Sequence, residues 1–197
     1  MKKYLLALIP LACLGIADAE AIPITYTADL LGSLEDPPNA SPGTGFASIV
    51  FDADALTMQV DASFQDLLSD VIAAHIHCCT AVPFAGNVGV ATQVPTFIGF
   101  PTGTSGTYSR FFDMSDAASW NPSFISANGG TPQSATAALA LGLAAGSAYF
   151  NIHTVEFGGG EIRGFLRPQA TPEPSTMGLL AAMGLGALAL ARRKRRA

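Results

Sequence analysis

Apolar and polar residues alternate along several short stretches of this chain, which is the pattern of β-strands with one buried face. Turn-forming residues such as Gly, Pro, Asn and Asp separate the stretches, and this supports strands rather than helices. The strands predicted from this pattern span residues 24–31, 45–51, 57–64, 71–79, 106–114, 149–154 and 161–166. Asp52 and Asp54 are expected in a solvated turn that connects the second and third strands as a hairpin. The pair could suggest a calcium site, but the other ligand positions of a calcium-binding loop do not follow it.

Two segments have helical character. Residues 116–124 begin with Asp116, a good N-cap, and residues 134–145 are an uncharged run of 12 rich in Ala and Leu. The second run is too short to span a membrane and is expected to form a buried helix. Residues 83–101 are rich in Gly and Pro and are expected to be irregular, with one short strand. The pattern therefore predicts a mostly β fold, with residues 22–168 forming a single antiparallel sandwich-like or barrel-like domain with short helical insertions.

The N-terminal residues 1–21 have the layout of a secretory signal peptide. Two lysines precede an apolar run, and Ala17-Asp18-Ala19 and Ala19-Glu20-Ala21 follow as candidate A-x-A cleavage sites. A buried N-terminal helix and a lipoprotein lipidated on Cys13 are the alternatives. The favoured interpretation places the rest of the chain outside the inner membrane.

The C-terminal residues 169–197 resemble the PEP-CTERM sorting signal of Gram-negative bacteria. The motif Pro172-Glu173-Pro174 is followed by an apolar stretch expected to form a transmembrane helix, with 17 residues counted from Ser175, and by a basic cluster. The cluster is Arg192, Arg193, Lys194, Arg195 and Arg196. These charges would hold the end of the helix in the cytoplasm. The resemblance implies that an exosortase-type enzyme cuts the chain after a transient anchoring and passes it to the cell surface or medium; a permanent single-span anchor is the alternative.

Charge excludes some classes of partner. Between residues 22 and 174 the chain has three arginines, no lysine and thirteen acidic residues, a net charge of −10. Such a surface repels nucleic acid and anionic lipid headgroups. The candidate partners that remain are extracellular polysaccharide and other surface proteins.

The chain has three histidines, and two of them form the sequence His75-Ile76-His77. In a strand these two imidazoles lie on one face, about 7 Å apart at the Cα atoms, while Ala74, Ile76 and Cys78 face the core. His153 occupies a similar strand and joins them if the strands are neighbours. The three imidazoles are then a candidate copper or zinc site, and histidines held by hydrogen bonds to their neighbours are the alternative.

Cys78 and Cys79 are adjacent and are expected to be in an oxidising compartment, where both should find partners. A vicinal disulfide requires a tight turn that ends the strand and moves Cys79 off the imidazole face. Two buried thiols and intermolecular bridges remain as alternatives.

The segment Tyr149-Phe150-Asn151-Ile152-His153-Thr154, followed by residues 160–164 (Gly-Glu-Ile-Arg-Gly), resembles the closing signature of the CHRD domain first described in chordin. Ala74-His75-Ile76-His77 resembles the central motif of that family, and residues 26–30 its opening strand. Cys78-Cys79 stands where Gly-Pro often follows in the family. The resemblance implies an extracellular β-rich module without an established catalytic activity.

Glu161 and Arg163 lie two residues apart and are expected on one face of the last strand, with Arg163 either binding an anion or pairing with Asn151 or a carboxylate across the sheet. The sequence lacks the common hydrolase, P-loop and dinucleotide motifs. We therefore expect a non-enzymatic, exported surface or matrix protein with a structural or interaction role. A copper or zinc protein of redox or metal handling is the alternative.

Overall fold

Eight antiparallel strands of one sheet make up much of residues 23–169, the part of the chain that the computed structural model describes. The strands are β1 (Ile24–Leu31), β2 (Thr44–Asp52), β3 (Thr57–Gln65), β4 (Val71–Cys78), β5 (Gly106–Asp113), β6 (Ala148–Thr154), β7 (Ile162–Phe165) and β8 (Arg167–Pro168). Their order is β4-β6-β7-β1-β2-β3-β5, and the short β8 pairs with β1. The sheet curls into a half-barrel, so the predicted mostly β, antiparallel, barrel-like fold is confirmed. The predicted signal peptide and the sorting segment beyond residue 169 lie outside the described residues.

The hairpin of β2 and β3 forms where the alternation predicted it, with Ile49 opposite Val60. Both side chains are fully buried. The Asp52 carboxylate accepts hydrogen bonds from the backbone N–H groups of Asp54 and Ala55, at 3.0 and 2.8 Å. Asp52 therefore stabilises the turn by a local side-chain hydrogen bond, which is a common role of Asp in turns.

Two α-helices, α1 (Pro122–Ala127) and α2 (Pro132–Ala144), lie between β5 and β6. The prediction of one helix over 116–124 was wrong, because the segment forms two separate short helical elements. Asp116 caps only a short 3₁₀ turn, and a second cap, Asn121, begins α1 with Pro122 at the first helical position. Helix α2 lies close to its predicted position and buries one face, while Leu141 on the other face is exposed. Within residues 23–169 no helix has the length and apolar character needed to cross a membrane.

Strand β4 lies at one end of the sheet order, and the segment that follows it covers its free edge. The hydroxyl of Thr92 accepts a hydrogen bond from the N–H of Ile76, and that of Thr96 from the N–H of Ala74, both at 2.9 Å. The short strand expected within 83–101 is absent from this described segment, which contributes isolated bridges instead. The unpaired backbone groups of an exposed strand edge can pair with another chain. Here the two threonine hydroxyls accept hydrogen bonds from that edge without adding a strand.

Both faces of β4 are buried from Ala74 to Cys78, which differs from the usual alternation. Ala74 and Ile76 pack in the apolar core as predicted, but His75 and His77 are also only 6% and 8% exposed. The second face therefore carries a buried group of polar side chains that we call the polar layer. Its members are His75, His77, Tyr149, Asn151, His153 and Arg163.

Candidate functional site

The antiparallel pairing of β4 with β6 brings all three histidines together. The Cα partner of His153 is Ala73, two residues before His75, so the two histidines are diagonal neighbours on one face. Their Nε2 atoms lie 2.9 Å apart. The ring centroid of His75 is 4.7 Å from those of both His77 and His153. The sequence allowed this grouping, and the strand order produces it.

Each histidine places its Nδ1 atom against a backbone carbonyl oxygen supplied by a loop. The three pairs are His75 with Pro95 at 3.2 Å, His77 with Val88 at 2.7 Å and His153 with Gly158 at 3.1 Å. A carbonyl oxygen only accepts hydrogen bonds, so each Nδ1 atom carries the hydrogen and donates it. In a neutral imidazole of this tautomer, Nε2 is an acceptor with a free lone pair. All three rings are therefore oriented in the same way, by a hydrogen bond from Nδ1–H to a backbone carbonyl.

Burial keeps these imidazoles neutral. It lowers the pKa of His75 to about 3, with a smaller contribution from the charges that His77 and His153 would carry. Burial likewise lowers the pKa of His77 to about 4, although its bond to the Val88 carbonyl acts in the opposite direction. The pKa of His153 is also lowered by burial. The Nε2 atom of His77 is buried and has no hydrogen-bond partner.

Tyr149 lies between His77 on β4 and Arg163 on β7, because β6 is the strand between them. Its ring stacks on His77 with 4.7 Å between centroids, and the Arg163 guanidinium lies 4.8 Å from the Tyr149 centroid. The guanidinium donates to the backbone carbonyl of Leu34 and lies 3.8 Å from the Glu35 carboxylate. Arg163 is thus a buried structural group. Glu35 is a partner that the sequence did not reveal, because it directly follows the 3₁₀ turn Gly32–Leu34, which is far from Arg163 in the chain.

Residues 26–166 match the family described as CHRD domain, and residues 170–196 match the PEP-CTERM protein-sorting motif. The chain belongs to the CHRD domain family. The sorting motif marks the CHRD protein for export, with a membrane-anchored C-terminal signal and processing by exosortase, and then for the surface or the extracellular space. No curated protein and no solved structure matched it.

The closing signature of the CHRD domain has a steric explanation in this chain. Gly160 has a φ of +131°, and a side chain there would meet Glu35 and Asn151. A Cβ at Gly164 would overlap the backbone carbonyl of Asp29 on β1. Glycine is therefore required at both positions, at the first by conformation and at the second by close approach of two strands.

Cys78 and Cys79 are joined by a disulfide in the CHRD domain. Strand β4 ends at Cys78, and Cys79 is exposed beyond it. Among the described residues, His75, His77 and His153 are the group whose side chains lie near enough to share a metal ion. Cys79 is outside this group, and its sulfur atom lies against Gly142 of α2.

Proposed function

We propose that this CHRD protein acts, after export and exosortase processing, as an interaction component of the cell surface or extracellular matrix, with a binding rather than a catalytic role. The observation that supports it best is a shallow groove on the outside of the sheet. The groove is lined by Thr27, Ala28, Asp29, Leu34, Phe46, Phe84, Phe165 and Arg167. We call it the β1 groove, since three of its residues lie on that strand.

Two half-exposed aromatic rings give the β1 groove its chemistry. Phe46 is 43% and Phe84 42% exposed, and the Arg167 guanidinium lies 3.8 Å from the Phe84 centroid. Exposed aromatic rings at a concave site are typical of binding surfaces. The apolar faces of the two phenylalanine rings can pack against the C–H faces of sugar rings. Asp29, Thr27 and Arg167 can form hydrogen bonds with the hydroxyl groups of the sugar.

The occupant that fits the groove is a neutral extracellular polysaccharide. The exported region has a net charge of −10, which disfavours strongly anionic polymers. Neutral sugars carry no charge to be repelled by this surface.

The alternative function, redox chemistry or metal handling by a copper or zinc protein, is not favoured by the histidine cluster. The three imidazoles are each at most 8% exposed, and a backbone carbonyl holds each ring in place. Substrate exchange at such a centre would require the covering loops to open.

The test is retention of the purified full chain on neutral polysaccharide extracted from the producing cells, measured by affinity electrophoresis. Replacing Phe46 and Phe84 by Ala should weaken retention at least tenfold. Phe111→Ala is the matched control, because Phe111 is 60% exposed on β5 and is not part of the groove. Equal retention of all variants, or capture of a surface protein in place of the polymer, would reject this occupant.

A further inference from the structure

We propose that His75, His77 and His153 form a binding site for one divalent first-row transition metal ion, Zn²⁺ or Cu²⁺. The proposal does not depend on the polysaccharide role above. It begins from a conflict in the metal-free geometry of the three Nε2 atoms.

The conflict lies between His75 and His153. Their Nε2 atoms are 2.9 Å apart, a hydrogen-bond distance, yet both Nδ1 atoms donate to carbonyl oxygens. Two neutral rings in this tautomer would oppose their Nε2 lone pairs, which is repulsive. A cation between the two atoms removes the repulsion, whereas a hydrogen on either Nε2 would require one ring to become charged or to lose its carbonyl bond.

A third nitrogen without a partner lies close to the other two. The Nε2 atom of His77 is buried and has no partner, and the three ligand atoms all lie within 4.8 Å of one another. When two imidazoles bind one zinc ion with Zn–N bonds of about 2.0–2.1 Å, their coordinating nitrogen atoms are at most about 4.2 Å apart. The longest of these separations has to shorten by about 0.6 Å for all three atoms to bind one ion.

The surroundings of the rings are those of metal-ligating histidines. Such histidines commonly donate their second N–H to a carbonyl or carboxylate, which fixes the tautomer and the direction of the free lone pair. Pro95, Val88 and Gly158 supply these carbonyls here. Three neutral imidazoles are a donor set suited to zinc and copper rather than to calcium or magnesium.

A bound ion would join the two strands to each other and, through the ring hydrogen bonds, to the loops that cover them. The ion binds the folded protein and not the separated ligands of the unfolded chain, so it should raise the unfolding temperature in a concentration-dependent way. This describes a structural metal centre inside the domain.

The experiment uses the full-length chain purified in detergent, treated with a chelator and then freed of it. Titration calorimetry with Zn²⁺ and, separately, Cu²⁺ should give saturable binding of one ion per chain. His75→Gln and His153→Gln each remove a ligand and should weaken binding by at least about 100-fold, the upper end of the loss caused by removing only an outer-shell partner. Ile72→Gln is the matched control, because Ile72 lies on the same strand β4, is 52% exposed and is not one of the three ligands.

A second measurement keeps the test decisive if the histidine variants fail to fold. The chain has three histidines, so the ¹⁵N signals of its imidazoles are few enough to assign in the wild-type protein. Zn²⁺ should shift the three Nε2 signals and leave the Nδ1–H groups in place. The proposal is overturned if neither ion binds saturably, if binding is unchanged in both histidine variants, or if a hydrogen persists on Nε2 at saturating metal.

Discussion

The hydroxyl of Thr154 donates a hydrogen bond of 2.6 Å to the carboxyl group of Glu161, which is completely buried. The other carboxyl oxygen accepts from the N–H of Leu68 at 2.7 Å and from the hydroxyl of Ser41 at 2.6 Å. One side chain therefore fastens the end of β6 to two loops that are distant in sequence. Buried polar groups of this kind are costly to leave without a partner.

Glu161→Ala is expected to lower the free energy of unfolding by about 3–5 kcal/mol, because it opens a cavity and leaves the buried hydroxyl of Thr154 and two partly buried donors without their acceptor. Glu161→Gln keeps the shape and should cost less. Glu156→Gln, at an exposed position five residues earlier, should stay within about 0.5 kcal/mol of wild type. Urea unfolding under non-reducing conditions measures all three, and equal stability of the Glu161 and Glu156 variants would contradict the role given to Glu161.

Glu35 should give the protein a pH-dependent stability of unusual sign. Burial raises the pKa of Glu35 from 4.5 to about 7, and the nearby charge of Arg163 and a hydrogen bond from the Asp36 backbone offset this only in part. Between these pH values the folded protein holds a proton that the unfolded chain has released. The contribution of Glu35 to stability is therefore present at low pH and is lost as the pH rises from about 4.5 to 7.

Glu35→Gln removes this titration. The variant should gain about 2 kcal/mol relative to wild type between pH 5 and pH 8, a figure reduced from the full shift for residual solvent screening. The measurement is the difference in unfolding free energy between the two proteins at each pH, which cancels titrations that they share. A difference that does not change over this range would show that the carboxyl group titrates normally.

Gly142 in α2 faces the disulfide, and a Cβ at this position would overlap the sulfur atoms of both Cys78 and Cys79. In an unconstrained helix, Gly→Ala stabilises by about 1 kcal/mol. Here we expect Gly142→Ala to destabilise by about 1–2 kcal/mol, since overpacking against the disulfide outweighs helix propensity. Thermal unfolding decides the sign, with Leu141→Ala on the exposed face of the same helix as control. An increase in stability would mean that α2 can move away from the disulfide.

The disulfide itself predicts a labelling pattern. Alkylation of the exported protein without reduction should modify neither Cys78 nor Cys79, and alkylation after reduction should modify both. Peptide mass spectrometry reads this directly. Free thiols before reduction, or a peptide linked to a second chain, would support the other two states that the sequence left open.

Exosortase processing predicts where altered proteins accumulate. Replacing Pro172, Glu173 and Pro174 by alanine should leave full-length protein in the inner membrane, because the apolar segment and the basic cluster still anchor it. Gln169→Ala, just before the matched motif of residues 170–196, should be processed like wild type. Cell fractionation and immunoblotting measure this. Retention of full-length wild-type protein in the inner membrane would favour a permanent anchor.

Much of the strand framework follows from local pattern alone. The alternation over 24–31 coincides with β1, because this strand has one apolar and one polar face. The error at 116–124 has a local cause as well: Asn121 and Pro122 start a new helix inside a segment that a single cap was expected to govern. The histidine spacing predicted a shared face for His75 and His77 but not its burial.

The sequence by itself determined most of the strands, the shared face of His75 and His77, and the sorting motif, because each depends on residues close together in the chain. The signal peptide stays a prediction. Only the tertiary structure decided that His153 joins the other two histidines, that Glu35 lies beside Arg163, and that loop carbonyls orient all three imidazoles. The reason is physical: strand order and loop cover are set by the packing of the whole sheet, and a backbone carbonyl has no side-chain signature by which a sequence could reveal it.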